Sequence, residues 1–113
     1  MNTNDHLLVV AAEEASETAV RLCKILRFGP DDIEPGQNLT ARQRAQNEIY
    51  DFLASLQDLQ TAGIIQIPMD RSAELAIEAK RVKVQQMLEY SRKVGRLVDD
   101  VRQGEPDDPD IVL

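Results

Sequence analysis

Glycine and proline divide this chain into three long stretches that contain neither, and each stretch carries apolar residues at helical spacing. That punctuation limits the fold to helices joined by short breaks. The first stretch predicts a helix over about residues 4–28, capped by Thr3 or Asn4. It stops at Gly29-Pro30, because proline disfavours helix at the residue before it. Its apolar stripe reads Leu8, Ala11, Ala15, Ala19, Leu22 and Leu26, while Arg21, Lys24 and Arg27 fall in the C-terminal half, where the helix dipole favours positive charge.

Residues 30–38 (PDDIEPGQN) have the composition of a loop. A second helix starts at Thr40, with Gln43 three residues on in capping-box register. It shows Ala45, Ile49, Phe52, Leu53, Leu56 and Leu59 on one face and ends near Gly63. The apolar connector 64–68 is expected to lie against the core. A third helix, over about 72–94, carries Leu75, Ala79, Val82, Gln86 and Leu88 in a less regular stripe, as if more than one face were covered. Gly95 ends or kinks it, and 97–102 is open to a further turn or short fourth helix. No strand-type alternation and no internal repeat is present. The expected fold is all-α, a bundle of three main helices in one domain over 1–103. An acidic, proline-broken tail over 104–113 is expected to be disordered.

A chain of 113 residues with 42% hydrophobic content has room for one small core. A single layer of helices this short is marginal alone, so oligomerisation is expected. The net charge of -7 and pI near 4.6 argue against a grip on nucleic acid or an anionic membrane. An acidic protein can still hold a polyphosphate when a divalent cation sits between them. Part of the excess lies at the end, where six acids from Asp99 onward face Arg102 alone. A single cysteine, Cys23, excludes an intramolecular disulfide, and no signal-peptide pattern is evident. No apolar run nears the roughly 20 residues of a membrane span. The expected compartment is the cytoplasm.

The residues with chemical promise are Glu13, Glu14 and Glu17 on the first helix, and Glu48 and Asp51 on the second. At 100° per residue, Glu14 and Glu17 project to one side, and Glu48 and Asp51 repeat that spacing. Antiparallel packing would set the two pairs opposite each other. Hard cations want such oxygen ligands, and magnesium takes one or two carboxylates with water and phosphate completing its shell. An EExxE on a helix is, by itself, also what a plain solvated face would carry. Three details weigh against that reading. Val10, Val20 and Phe28 break the polarity of the acidic face; Arg21 and Lys24 follow Glu17 in line; and Glu48 sits at the edge of an apolar face, where an unpaired acid is costly.

EEASE (13–17) followed by EIYD (48–51) resembles the EExxE…ExxD signature of the all-α nucleoside triphosphate pyrophosphohydrolases, the MazG and dimeric dUTPase superfamily. CKILRFG (23–29) is similar to the segment that follows EExxE in small phage and bacterial MazG-like proteins. AIEAKRVKVQQMLEYSR (76–92) is similar to their final helix, so the likeness spans about residues 7–95. The 28–40 connection is longer than the usual pattern. The resemblance implies magnesium-dependent cleavage between the α and β phosphates, with manganese as a substitute. It makes Glu14, Glu17, Glu48 and Asp51 the metal ligands and lets Glu13 ligate or orient the attacking water. Lys24 and Arg27, with Lys80, Lys83 or Arg92 from the last helix, become candidates to hold the outgoing pyrophosphate. It also implies a homodimer or homotetramer that completes a four-helix-type core.

An alternative is a helical nucleotide-binding or protein-interaction module that keeps the fold without the activity. Cys23 reads as a buried structural thiol and His6 as a surface residue. Phe52 falls on the core stripe, while Phe28, Tyr50 and Tyr90 suit packing or stacking on a base. With one histidine and one cysteine, a zinc site within the chain is not expected, and no glycine-rich phosphate loop is present.

Overall fold

The computed structural model describes residues 1–98. The described residues form three α-helices and no strand: α1 (Thr3–Phe28), α2 (Ala41–Thr61) and α3 (Arg71–Lys93). The chain divides into two compact units, Met1–Ile67 and Pro68–Leu113. The tail expected to be disordered, and most of the possible fourth helix, lie outside the described residues. Leu97 and Val98 are not helical.

Local chemistry sets the helix ends. α1 begins one residue or two earlier than Thr3 or Asn4 would have capped it. Asn2 is the cap, its side chain accepting from the Asp5 backbone N–H at 2.8 Å while Asp5 accepts from the Asn2 N–H at 3.1 Å. Asp5 placed at the third helical position makes that reciprocal pair available to Asn2. α2 has the capping box expected of Thr40 and Gln43. α3 is capped by Asp70, which accepts from the Ala73 N–H at 3.1 Å. It ends rather than kinks at Gly95: at φ 77° the glycine turns the chain so that its N–H reaches the Arg92 carbonyl and the Arg96 N–H reaches that of Ser91.

In the first unit α1 and α2 pack against each other in antiparallel fashion, joined by the 29–40 loop. Their inner faces share one rhythm. Leu7, Ala11, Glu14, Thr18, Arg21 and Ile25 are buried or half-buried on α1, as are Ala41, Ala45, Glu48, Phe52, Ser55 and Leu59 on α2. Both sets alternate steps of four and three, the spacing of a coiled-coil seam. Small residues at the seam let the backbones approach. The Thr18 hydroxyl, bonded to the Glu14 carbonyl at 2.9 Å, also lies 3.4 Å from the Glu48 carbonyl.

This arrangement overturns the expected packing face of α1. The stripe of Leu8, Ala15, Ala19, Leu22 and Leu26 is exposed, Leu22 at 52% and Leu26 at 88%; only Ala11 of that stripe is buried. On α2, Ile49 and Leu53 are likewise exposed, whereas Ala45, Phe52, Leu56 and Leu59 face inward. Cys23, expected to be buried, is exposed beside Leu22. The connector turns in only part of its length, with Ile64 and Ile67 half-buried and Ile65 exposed. The face that turns inward on α1 is the one bearing Glu14, so polar side chains interrupt the seam and an apolar stripe is left on the outside. In the second unit, α3 has no buried residue among those described.

Candidate functional site

The seam places a carboxyl group at a middle position of each helix. Glu14 and Glu48 are both half-buried seam residues, and Asp51 stands one turn beyond Glu48 at the exposed margin. One carboxylate oxygen from each of the three lies within 4.8 Å of the others. Glu14 shows the consequence. Its carboxyl is held above the usual carboxylate range, first by loss of solvation at the seam and then by the charges of Asp51 and Glu48. A hydrogen bond with Glu48, which favours the protonated form, and the charge of Glu17 act in the same direction.

The two remaining acids expected at the site stand apart from this trio. Glu13 and Glu17 are exposed and line a shallow groove on α1 with Val9, Ala12 and Ser16. Glu17 reaches the trio through its field on Glu14 and not as one of the converging oxygens. The reason is angular. Residues three apart on a helix differ by about 60° in direction, so Glu14 can face α2 while Glu17 looks along its flank.

The donor set suits a hard divalent cation. Magnesium binds oxygen at about 2.0–2.1 Å, so oxygens on opposite sides of one ion lie about 4.2 Å apart. A trio whose oxygens span up to 4.8 Å meets that with small side-chain rotations. Water and substrate phosphate would fill the positions three carboxylates leave open.

The basic residues are distributed differently from the expectation. Lys24 is not an open phosphate donor, because its ammonium is 3.2 Å from Glu34 Oε1. Arg27 is exposed, its guanidinium 5.1 Å from the centre of the Phe28 ring. Lys80 and Lys83 line a groove along α3 with Val84, Met87 and Ser91, and Arg92 is exposed near the end of that helix. These three belong to the second unit.

Sequence reading passed over Glu34 and Arg44, and set Arg21 beside the acidic cluster rather than with these two. Glu34 Oε2 accepts from Arg44 at 2.6 Å while Oε1 accepts from Lys24. The two cations hold the Glu34 carboxyl well below the usual range, with the Arg44 hydrogen bond the largest cause and the Lys24 bond next. The loop is shaped to deliver this side chain. Its Pro30 and Asp32 carbonyls accept the Arg42 and Ala41 N–H groups, which open α2 without intrahelical partners. Pro35-Gly36 then closes a turn in which the Gln37 N–H reaches the Glu34 carbonyl at 2.9 Å, with Gly36 at φ 83°. The one available signal was charge: a lone Glu in a loop between Lys24 and Arg44. No helix among the described residues is long and apolar enough to cross a membrane. Comparison with protein-family models, with curated proteins and with solved structures gave no match.

Proposed function

We propose that this chain is a magnesium-dependent nucleoside triphosphate pyrophosphohydrolase, cleaving between the α and β phosphates to release a nucleoside monophosphate and pyrophosphate. The observation that carries this reading is the meeting of Glu14, Glu48 and Asp51 across a half-buried seam, where the chain accepts electrostatic cost for no gain in packing. The resemblance of EEASE and EIYD to the EExxE…ExxD signature supports the same chemistry with the same residues.

Bound there, a magnesium ion would offset the charge of the phosphate oxygens and lower the pKa of water on it. Glu14, Glu48 and Asp51 are the residues that would hold it. Glu17, outside the converging oxygens, would add its charge to the site through Glu14, and Glu13 would stay on the exposed flank of α1 beside it. Arg27, exposed nearly three turns beyond Glu17, is available to the departing pyrophosphate. The reading also has the protein working in the cytoplasm as a homodimer or homotetramer. Support comes from the exposed leucines of α1, each offering about 1.5–3 kcal/mol if fully buried by another copy, and from an exposed thiol suited to a reducing compartment.

The test is to incubate purified protein with each ribo- and deoxyribonucleoside triphosphate plus magnesium and to resolve the products by ion exchange. Monophosphate and pyrophosphate are expected. A diphosphate with orthophosphate would overturn the proposal, as would turnover unaffected by Glu48→Gln. The position of Glu13 and Glu17 outside the trio favours a second reading, a module that binds metal and nucleotide without turning it over. Magnesium-dependent nucleotide binding with no product would select it.

A further inference from the structure

The loop end of the α1–α2 hairpin encloses a cavity of about 280 Å³, lined by Arg21, Lys24, Phe28, Glu34 and Arg44 among others. Its contents are unusual for a chain of net charge -7. Arg21, Lys24 and Arg44 bring three positive groups, against Asp32 and Glu34, so the cavity is locally cationic. Lys24 and Arg44 are largely withdrawn from solvent, with side chains 28% and 20% exposed. Both are satisfied by the single carboxylate of Glu34, which gives one oxygen to each. Arg21 is half-buried on the seam and forms no ion pair or hydrogen bond with any described residue. Its guanidinium nitrogens are not buried away from solvent, so the group is open to a ligand entering the cavity.

The Glu34 carboxylate itself is 43% exposed and sits on a loop rather than on a helix, so it can leave. It bridges Lys24 and Arg44 as a phosphate oxygen pair would, and a phosphate has a third oxygen for Arg21. Two guanidinium forks with a lysine are the donor set that phosphate geometry favours. The apolar wall from Phe28, Pro35 and Ala41 offers contact to whatever carries the phosphate. The volume lies just under the roughly 300–1,000 Å³ of ordinary small-molecule sites, which limits the occupant to something smaller than a nucleoside triphosphate.

We propose that this cavity is a binding site for a small phosphate monoester, in which Glu34 is a built-in stand-in for the ligand. The phosphate displaces Glu34 from Lys24 and Arg44 and engages Arg21, while the apolar part of the ligand rests against Phe28. The site is separate from the carboxylate trio and stands whether or not that trio hydrolyses nucleotides.

Phenyl phosphate is a suitable probe, titrated into the full chain by calorimetry with EDTA present so that the trio takes no part. Glu34→Gln removes the competing charge and is expected to tighten binding at least tenfold. Adding Arg21→Gln to that variant is expected to weaken it again at least tenfold. Glu48→Gln is expected to change nothing. Equal binding by wild type and Glu34→Gln, indifference to Arg21→Gln, or loss of binding in Glu48→Gln would each overturn the proposal. Should Glu34→Gln fail to fold, the wild-type Arg21 and Arg44 guanidinium resonances report the same exchange during the titration. Their failure to move at saturating probe would overturn the proposal equally.

Discussion

Midway along the α1–α2 hairpin Glu14 meets Glu48 and Asp51, whereas at the looped end Glu34 meets Lys24 and Arg44. One carboxyl is pushed up by its surroundings and the other held down. Both sites are partly exposed and both lie along one pair of helices, so burial alone does not separate them. The difference is the sign of the neighbours. A carboxylate clamped by cations contributes to the fold as it stands. Carboxylates gathered together oppose the fold until a cation arrives, which is how a binding site differs from a structural ion pair.

The largest expected effect concerns activity. Asp51→Asn should lower kcat/KM for triphosphate hydrolysis about a thousandfold. Transition-state stabilisation through a carboxylate-held ion is worth several kcal/mol, at tenfold per ~1.4 kcal/mol. Product assays at saturating magnesium measure it, and a fall of less than tenfold would remove the trio from the chemistry.

Next comes a reversal of sign in stability. Without metal, Glu14→Gln should raise the melting temperature by about 2–5 °C because a repelling charge is gone; with millimolar magnesium the same change should lower it by a similar amount. Glu34→Gln should lower the melting temperature with or without magnesium. Thermal scans by circular dichroism separate the two, and a parallel response of both variants to metal would dissolve the comparison.

The two carboxyls also bend the pH dependence in opposite directions in metal-free protein. The Glu14 carboxyl binds its proton more tightly folded than unfolded. Its contribution is therefore greatest below the unfolded value of 4.5 and is lost as pH rises through the raised folded value. Glu34 binds its proton less tightly when folded, so its contribution is full above 4.5 and lost as pH falls through the lowered folded value. Urea midpoints across the acid range should lose the first slope in Glu14→Gln and the second in Glu34→Gln. If neither slope changes, the assignments are wrong.

The smallest effect belongs to a neighbouring pair that joins the same loop to the start of α2. Asp31 and Arg42 lie 3.1 Å apart but are 79% and 59% exposed, so Arg42→Gln should cost only about 0–1 kcal/mol. Urea unfolding should rank it well below Arg44→Gln, whose side chain is enclosed; the reverse order would count against the clamp.

The convergence of Glu14 with Glu48 and Asp51 was legible, because motif spacing and antiparallel packing lead to it together. The packing face was not. Leu8, Leu22 and Leu26 form the more apolar stripe, and hydropathy favours turning that stripe inward. The hairpin instead turns in Leu7, Ala11, Glu14 and Thr18, whose small or hydrogen-bonding side chains match Ala45, Glu48 and Ser55 opposite. Glu34 was hidden for a related reason: loop composition marks where a chain turns and says nothing of which side chain it carries back to Arg44.

The sequence by itself determined where the three helices run, to within a residue or two at their ends. Caps such as Thr40 with Gln43 close within a single turn, among residues three or four apart. Tertiary structure alone decided which face of α1 is inside and which of the five acids are left outside the meeting. That choice depends on groups as distant as Thr18 and Glu48, 30 positions apart, and on complementarity that no window along one helix contains.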